Sequence, residues 1–328
     1  MNAAATLTGE LPQEERQQVD AEEGYRRLLA RLSHQSVVKH YDAYADIPWD
    51  DPDFAIDPAD PRLQLSTADP LGATAWYQSQ PAEVRSRIGL HMIATFAQIG
   101  WRFESVLKRG LLEFALKLPT DAPEFRYCYH EVIEEAQHSL FFHEFVARTG
   151  LDVRSPRILG VADRQVVGFG RHFPELFFFF VLAGEDPIDH VQREMLQNGR
   201  ALHPLIERIT RIHITEEARH MAFARHYLRR TVPKLRGYKW FALRLRTAVV
   251  MKIASLMMSR PSGHVVRTYG IPAEVLREAY GKGSRAEQNL KRALFKPREL
   301  CWELGVLTPR WAWLWKRLGI YAAQGSPV

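Results

Sequence analysis

The chain has 328 residues, 46% hydrophobic and 25% charged, proportions of an ordinary globular protein able to bury one large core with extensions. Its two cysteines, Cys128 and Cys301, stand far apart. That excludes a disulfide framework and a thiolate zinc site, and it fits a reducing, cytoplasmic setting. The net charge of +6 is uneven: from Arg229 onward there are 20 Lys/Arg against 5 Asp/Glu, and before it 24 against 33.

Residues 1–22 begin without the basic start and long apolar stretch of a signal peptide. Residues 23–44 carry Tyr25, Leu28, Leu29 and Leu32 at helical spacing. From Ile47 to Pro70, prolines at 48, 52, 58, 61 and 70 alternate with many Asp residues, which predicts an irregular wrapping segment. A first long helix is expected from about Glu83 to Leu118, its stripe formed by Ile88, Met92, Phe96, Ile99, Phe103, Val106, Leu107, Leu111, Phe114 and Leu118. The turn Pro119–Pro123 ends it. A second helix runs from about Glu124 to Arg148, closed by Gly150, and a loop follows through Pro156 and Gly160.

A third helix is expected over about 174–198. Pro187 lies inside it and should kink or restart it. Its apolar run, Leu176 to Gly184, is about half the ~20 residues needed to cross a bilayer, so no transmembrane segment is expected. After a turn at 199–204, a fourth helix spans about 205–230 and Pro233 stops it. The remainder reads as shorter basic helices broken at Pro261, Pro272, Gly281, Pro297 and Pro309. Its charge is read as a solvated surface balancing the acidic remainder rather than a nucleic-acid or membrane footprint, so no nucleic-acid partner is expected. No strand pattern appears. The fold class is all-α, divided as an N-terminal helix and wrapping segment (1–84), a four-helix bundle (85–233) and a basic helical extension (234–328).

The second helix contains Glu134-Glu135-Ala136-Gln137-His138 and the fourth Glu216-Glu217-Ala218-Arg219-His220. Glu135 with His138, and Glu217 with His220, are three residues apart and share a helix face, so each pair reaches one ion. In an antiparallel hairpin, residues equidistant from the turn stand level. The midpoint of Glu104 and Glu135 falls in the Pro119–Pro123 turn, and that of Glu185 and Glu217 at 201, in the next turn. Each hairpin therefore sets a lone Glu against a Glu-x-x-His. This is the di-metal carboxylate plan of a ferritin-like bundle. Oxygen and imidazole donors suit iron, with manganese as the alternative, and two cations offset carboxylates that would otherwise be costly to bury. His213, four before Glu217 and seven before His220, falls in the same arc of its helix and is read as a third imidazole ligand, the alternative being a core histidine hydrogen-bonded to a neighbour.

The set Glu104, Glu135, His138, Glu185, His213, Glu217 and His220 resembles the ligand set of the p-aminobenzoate N-oxygenase (AurF-type) family, where the additional His sits four before the last Glu. The resemblance covers roughly residues 85–230; in the basic tail none is evident. The string Glu216–His220 also resembles the motif of acyl-carrier-protein desaturases and multicomponent monooxygenases, but those lack a counterpart of His213. Ribonucleotide reductase small subunits fit less well, because Phe142 stands where their radical tyrosine would be. Asp189 is a fallback ligand to Glu185. Glu113 lies too near the turn to stand level with Glu135. Glu134 and Glu216 are expected either to hydrogen-bond the histidine of the opposite helix or to form an ion pair with Arg. His130, His143, His190 and His226 are read as surface or rim residues, and Phe141, Phe142 and Phe177–Phe180 as packing, with an apolar wall of a substrate cavity as the alternative for some of them.

The resemblance implies a di-iron enzyme that activates O2 and oxygenates a small molecule at an amine nitrogen. Electrons come from an external donor or reductase, since no flavin, nicotinamide or iron–sulfur motif is found. The alternatives are a C–H hydroxylase or acyl desaturase and, outside enzymes, a ferritin-like iron-binding or structural protein. A homodimer is compatible with the sequence. The basic extension is expected to form a reductase surface or a cap over the cavity.

Overall fold

The computed structural model describes residues 13–154, 158–197, 199, 201–258 and 260–328. Among these there are helices and turns and no strand. Helix α1 (Gln13–Val38) starts ahead of the expected span and ends before it. The Pro/Asp-rich segment is irregular, with two short 3-10 turns at Pro52–Phe54 and Pro61–Leu63. Each is opened by an Asp, Asp51 or Asp60, whose carboxylate accepts from a backbone N–H two residues on, and each places Pro where no N–H is needed. The short α2 (Ala75–Gln78) follows.

Four long helices form the bundle: α3 (Ala82–Ala115), α4 (Pro123–Thr149), then α6 (Pro174–Gln197) and α7 (Pro204–Thr231), with α5 (Ile158–His172) between the hairpins. The α3 stripe is buried as its periodicity requires, except for Phe96, which is exposed, and Leu118, which lies past the helix and is partly buried. Gly150, at φ 64°, closes α4, a left-handed position that favours glycine. As the midpoint argument requires, α3 packs along α4 and α6 along α7.

Three expectations are corrected. The stretch read as a loop after Gly150 holds helix α5 at its C-terminal part. Glycines lower helix propensity, but here Gly170 lets α5 press onto α3: a Cβ at Gly170 would collide with the backbone of Gly110. Helix α6 runs through Pro187 without stopping or restarting, which corrects the expected restart. Tertiary contacts on several sides of α6 hold it there, from α5, α7, α8, α11 and α12. Pro297 does not break the chain but sits in the first turn of its helix, where its missing N–H costs nothing.

Beyond the bundle come α8 (Gly237–Met258), α9 (Gly263–Thr268), α10 (Ala273–Tyr280), α11 (Arg285–Ala293), α12 (Phe295–Glu303) and α13 (Ala312–Arg317). Helices α8, α11 and α12 pack on α6, and the run Leu176–Gly184 in its N-terminal half is apolar and buried on every side. Phe177, Phe178 and Phe179 are fully buried. Phe177 lies over Gly110 and Phe103 over Gly184, positions where a Cβ would enter the rings. One apolar core joins Tyr25, Leu29 and Leu32 of α1, the bundle interior, and the C-terminal residues Leu243, Trp315 and Ile320. No described helix is long and apolar enough to cross a membrane. This architecture is a ferritin-like four-helix bundle with added helices at both ends.

Candidate metal centre

The carboxylates and imidazoles singled out by spacing converge inside the bundle. Glu104 comes from α3, Glu135 and His138 from α4, Glu185 from α6, and His213, Glu217 and His220 from α7. All seven are 1% exposed or less. His138 Nδ1 lies 3.3 Å from Glu217, 3.7 Å from Glu135 and 3.8 Å from Glu104. His220 Nδ1 lies 3.2 Å from Glu217 and 3.3 Å from Glu135. Glu135 and Glu217 thus each stand between the two imidazoles, where a carboxylate could bridge two ions. His213 Nε2 is 3.6 Å from Glu104 and 3.8 Å from Glu217.

Each histidine is aimed by its other nitrogen. His138 Nε2 meets Glu216 at 2.8 Å, and His220 Nε2 meets Glu134 at 2.8 Å. The two motifs therefore hold each other's imidazole across the α4–α7 interface. His213 Nδ1 meets the Gln192 side-chain oxygen at 2.9 Å. An outer N–H donated to an oxygen leaves the inner nitrogen's lone pair free for a cation. Arg219 donates to Glu134 at 2.7 Å. Burial alone would raise the Glu134 carboxyl, yet His220 and Arg219 hold it at about 2. On α3 and α4, Lys108 donates to the Glu135 carbonyl and to Ser139, and Ser139 Oγ donates to Glu104 at 3.1 Å. That chain fixes the Glu104 carboxylate.

The carboxylates also carry oxygens that nothing satisfies. Both oxygens of Glu135 and of Glu185, and one each of Glu104 and Glu217, are buried without a hydrogen-bond partner. Orphaned carboxylate oxygens in a core are costly, and a hard divalent cation would satisfy them. Burial and the charges of Glu217, Glu135 and Glu104 push Glu185 well above the usual carboxylate range. Burial opposes protonation of His138 and His220, yet the surrounding carboxylates raise both well above the ordinary histidine value. The centre binds protons where cations would replace them, so metal uptake would release protons. Among the described residues, four buried triads have ligand atoms within 4.8 Å of one another: Glu104–His138–His213, Glu131–Glu135–His220, Glu135–His138–Glu217 and Glu185–His213–Glu217. The donor set fits a pair of metal ions held by oxygen and imidazole.

Residues 22–305 match the model of the p-aminobenzoate N-oxygenase AurF family. The chain belongs to the AurF family. The AurF match extends past the bundle on both sides, into α1 and through α12, so much of the basic extension, whose sequence shows no evident resemblance by eye, is part of the family's pattern. The chain is 38% identical over 298 residues to uncharacterised proteins of Mycobacterium tuberculosis (strain H37Rv) and Mycobacterium bovis, covering 90% of this chain and 87% of theirs. No solved structure matches.

Two side chains are placed differently from expectation. Asp189, the fallback ligand, is paired with Arg193 at 2.7 Å and with Lys296 at 3.8 Å, and it belongs to none of the triads. Glu131 was not singled out from the sequence, yet it is 1% exposed and joins Glu135 and His220. The available signal was its place four residues before Glu135, the same offset that brought out His213 before Glu217. Glu113 pairs with Arg171 at 3.6 Å, away from the centre, and His130, His143, His190 and His226 are not buried.

Proposed function

We propose that Glu104, Glu135, His138, Glu185, His213, Glu217 and His220 hold two iron ions, and that this AurF-family protein is a di-iron oxygenase acting on the nitrogen of a small amine, an aryl amine in the first instance. Two findings support the reading: the family match over residues 22–305 and a buried donor set whose three imidazoles each point one nitrogen inward. The third imidazole, His213, is the observation that carries the choice among di-iron chemistries. It favours N-oxygenation over the desaturase and C–H hydroxylase alternatives, whose motif resembles the other ligands but has no counterpart at this position.

When bound and reduced, iron supplies the electrons that activate O2 for oxygen transfer. The protein's part is positional. Glu135 and Glu217 span the two imidazole sites, Ser139 and Lys108 fix Glu104, and Gln192 fixes His213. Phe141 and Phe142 pack on the His138–His213 side, with ring centroids 5.2 Å from His138 and 5.3 Å from His213, and such apolar packing keeps water from that side of the centre. For conversion of a primary amine to a hydroxylamine, one oxygen atom enters the nitrogen and the other leaves as water. Two electrons and two protons enter from an external donor or reductase.

The test is mass spectrometry of the iron-loaded, reduced protein given labelled O2 and a panel of aryl amines, alkyl amines, acyl chains and aromatic acids. Label in a hydroxylamine or nitro product supports the reading. Label only in carbon-bound oxygen, desaturation of an acyl chain, or no organic product alongside steady iron oxidation would replace it with one of the alternatives. Manganese loading in parallel identifies the metal that supports turnover.

A further inference from the structure

The α4 and α7 motifs share more than their Glu-x-x-His. Read outward, α4 carries Glu131, Glu134, Glu135 and His138; α7 carries His213, Glu216, Glu217 and His220. Offsets from the first residue are 3, 4 and 7 in both. An approximate two-fold relation exchanges His138 with His220 and Glu134 with Glu216, as the two reciprocal 2.8 Å pairs show. The same exchange pairs His213 with Glu131. His213 stands with Glu104 and His138 at one end of the centre, and Glu131 stands with Glu135 and His220 at the other.

We propose that Glu131 is a ligand of the metal ion on the His220 side, the carboxylate counterpart of His213 at the other ion. This rests on the two-ion reading above and extends it by one residue. The Glu131 side chain is 1% exposed, its Oε2 is buried and has no hydrogen-bond partner, and a Glu131 oxygen lies within 4.8 Å of ligand atoms of both Glu135 and His220. A buried carboxylate whose oxygen lies beside Glu135 and His220 with no hydrogen-bond partner is costly, and a cation at that point would satisfy it. The consequence is chemical asymmetry. The His138 side holds two imidazoles, while the His220 side holds one imidazole and an added anionic oxygen. Hard anionic oxygen donors favour the harder, more highly charged ion, so the His220-side ion is the one that best holds the trivalent state.

The experiment loads the full-length protein anaerobically with ⁵⁷Fe(II) and measures iron content after gel filtration, chelator competition for each ion, and the Mössbauer spectrum. Wild type, Glu131→Gln, Glu131→His and His213→Ala are compared, with circular dichroism to verify the fold. Losing a group that merely supports a ligand already costs about 10–100-fold in affinity, so Glu131→Gln is expected to weaken one ion at least ~10-fold and to alter one doublet, leaving the other ion in place. Glu131→His, which restores a donor at that position, is expected to recover two-ion binding with a shifted doublet, an effect that a purely structural carboxylate would not show. His213→Ala is expected to alter the opposite doublet. Two tightly held ions with unchanged spectra in Glu131→Gln overturn the proposal while leaving the two-ion centre intact, and failure of Glu131→His to restore binding also overturns it. Fewer than two ions in wild type would overturn both readings. Should Glu131→Gln not fold, Glu131→His and its spectrum decide alone.

Discussion

Glu134 of α4 accepts the Nε2 contact of His220 on α7 at 2.8 Å while its other oxygen takes Arg219 at 2.7 Å. One carboxylate on one motif therefore aims the imidazole of the other, and His220 and Arg219 together keep that carboxylate ionised against its burial. Glu134→Gln preserves shape but removes the charge. The expected result is iron affinity about 10–100-fold lower with the fold retained, read by chelator competition. Unchanged affinity would show that the pair is structural.

His213 offers a separate test. Its inner nitrogen faces Glu104 and Glu217 and its outer one is held by Gln192. His213→Ala is expected to cut iron content from two ions toward one and to change the optical spectrum of the oxygenated protein, with helicity unchanged. Full iron content and an unaltered spectrum would leave His213 as a buried histidine satisfied by Gln192 alone.

The α3–α5 contact makes a prediction about stability. Gly170 meets the Gly110 backbone, whereas nothing stands within 4 Å of a Cβ at Gly168. Gly170→Ala is expected to cost about 1–3 kcal/mol through overpacking. Gly168→Ala in the same helix is expected to gain about 0.5–1 kcal/mol from helix propensity. Urea denaturation of the two variants checks the pair, and equal effects would contradict the close approach.

Asp186 supplies a pH dependence. Burial raises its carboxyl from 3.8 to about 6 despite the ion pair with Arg225. The folded chain then holds this proton more tightly than the unfolded chain does. The contribution is fully present below pH ~4 and lost as pH rises through ~6. A rise of that size corresponds to about 3 kcal/mol. The stability of wild type relative to Asp186→Asn, both metal-free, should therefore fall by about that amount between pH 4 and 7. A difference that is flat with pH would rule this out.

Much of the centre could be read in the linear chain because its chemistry is periodic. Glu135 with His138, and Glu217 with His220, repeat at helix spacing, and the turns at 119–123 and around 201 set Glu104 and Glu185 level with them. Other features were hidden for the opposite reason, since they depend on neighbours far away in sequence. Pro156 and Gly160 predict a loop, and only the approach of Gly170 to the Gly110 backbone shows why α5 packs on α3. Pro187 argues for a break until α6 is seen packed on several sides. Asp189 has the character of a ligand and one turn's offset from Glu185, but Arg193 and Lys296 claim it.

By itself the sequence determined the helical class, the hairpin pairing and the residue types brought to one depth, because hydrophobic period and turn position are local properties of the chain. Only the tertiary structure decided which carboxylate aims which histidine, that Glu131 lies beside Glu135 and His220, and that helices of the basic extension cover α6. Those outcomes turn on side chains from different helices meeting at hydrogen-bond distance, which no spacing along one helix can specify.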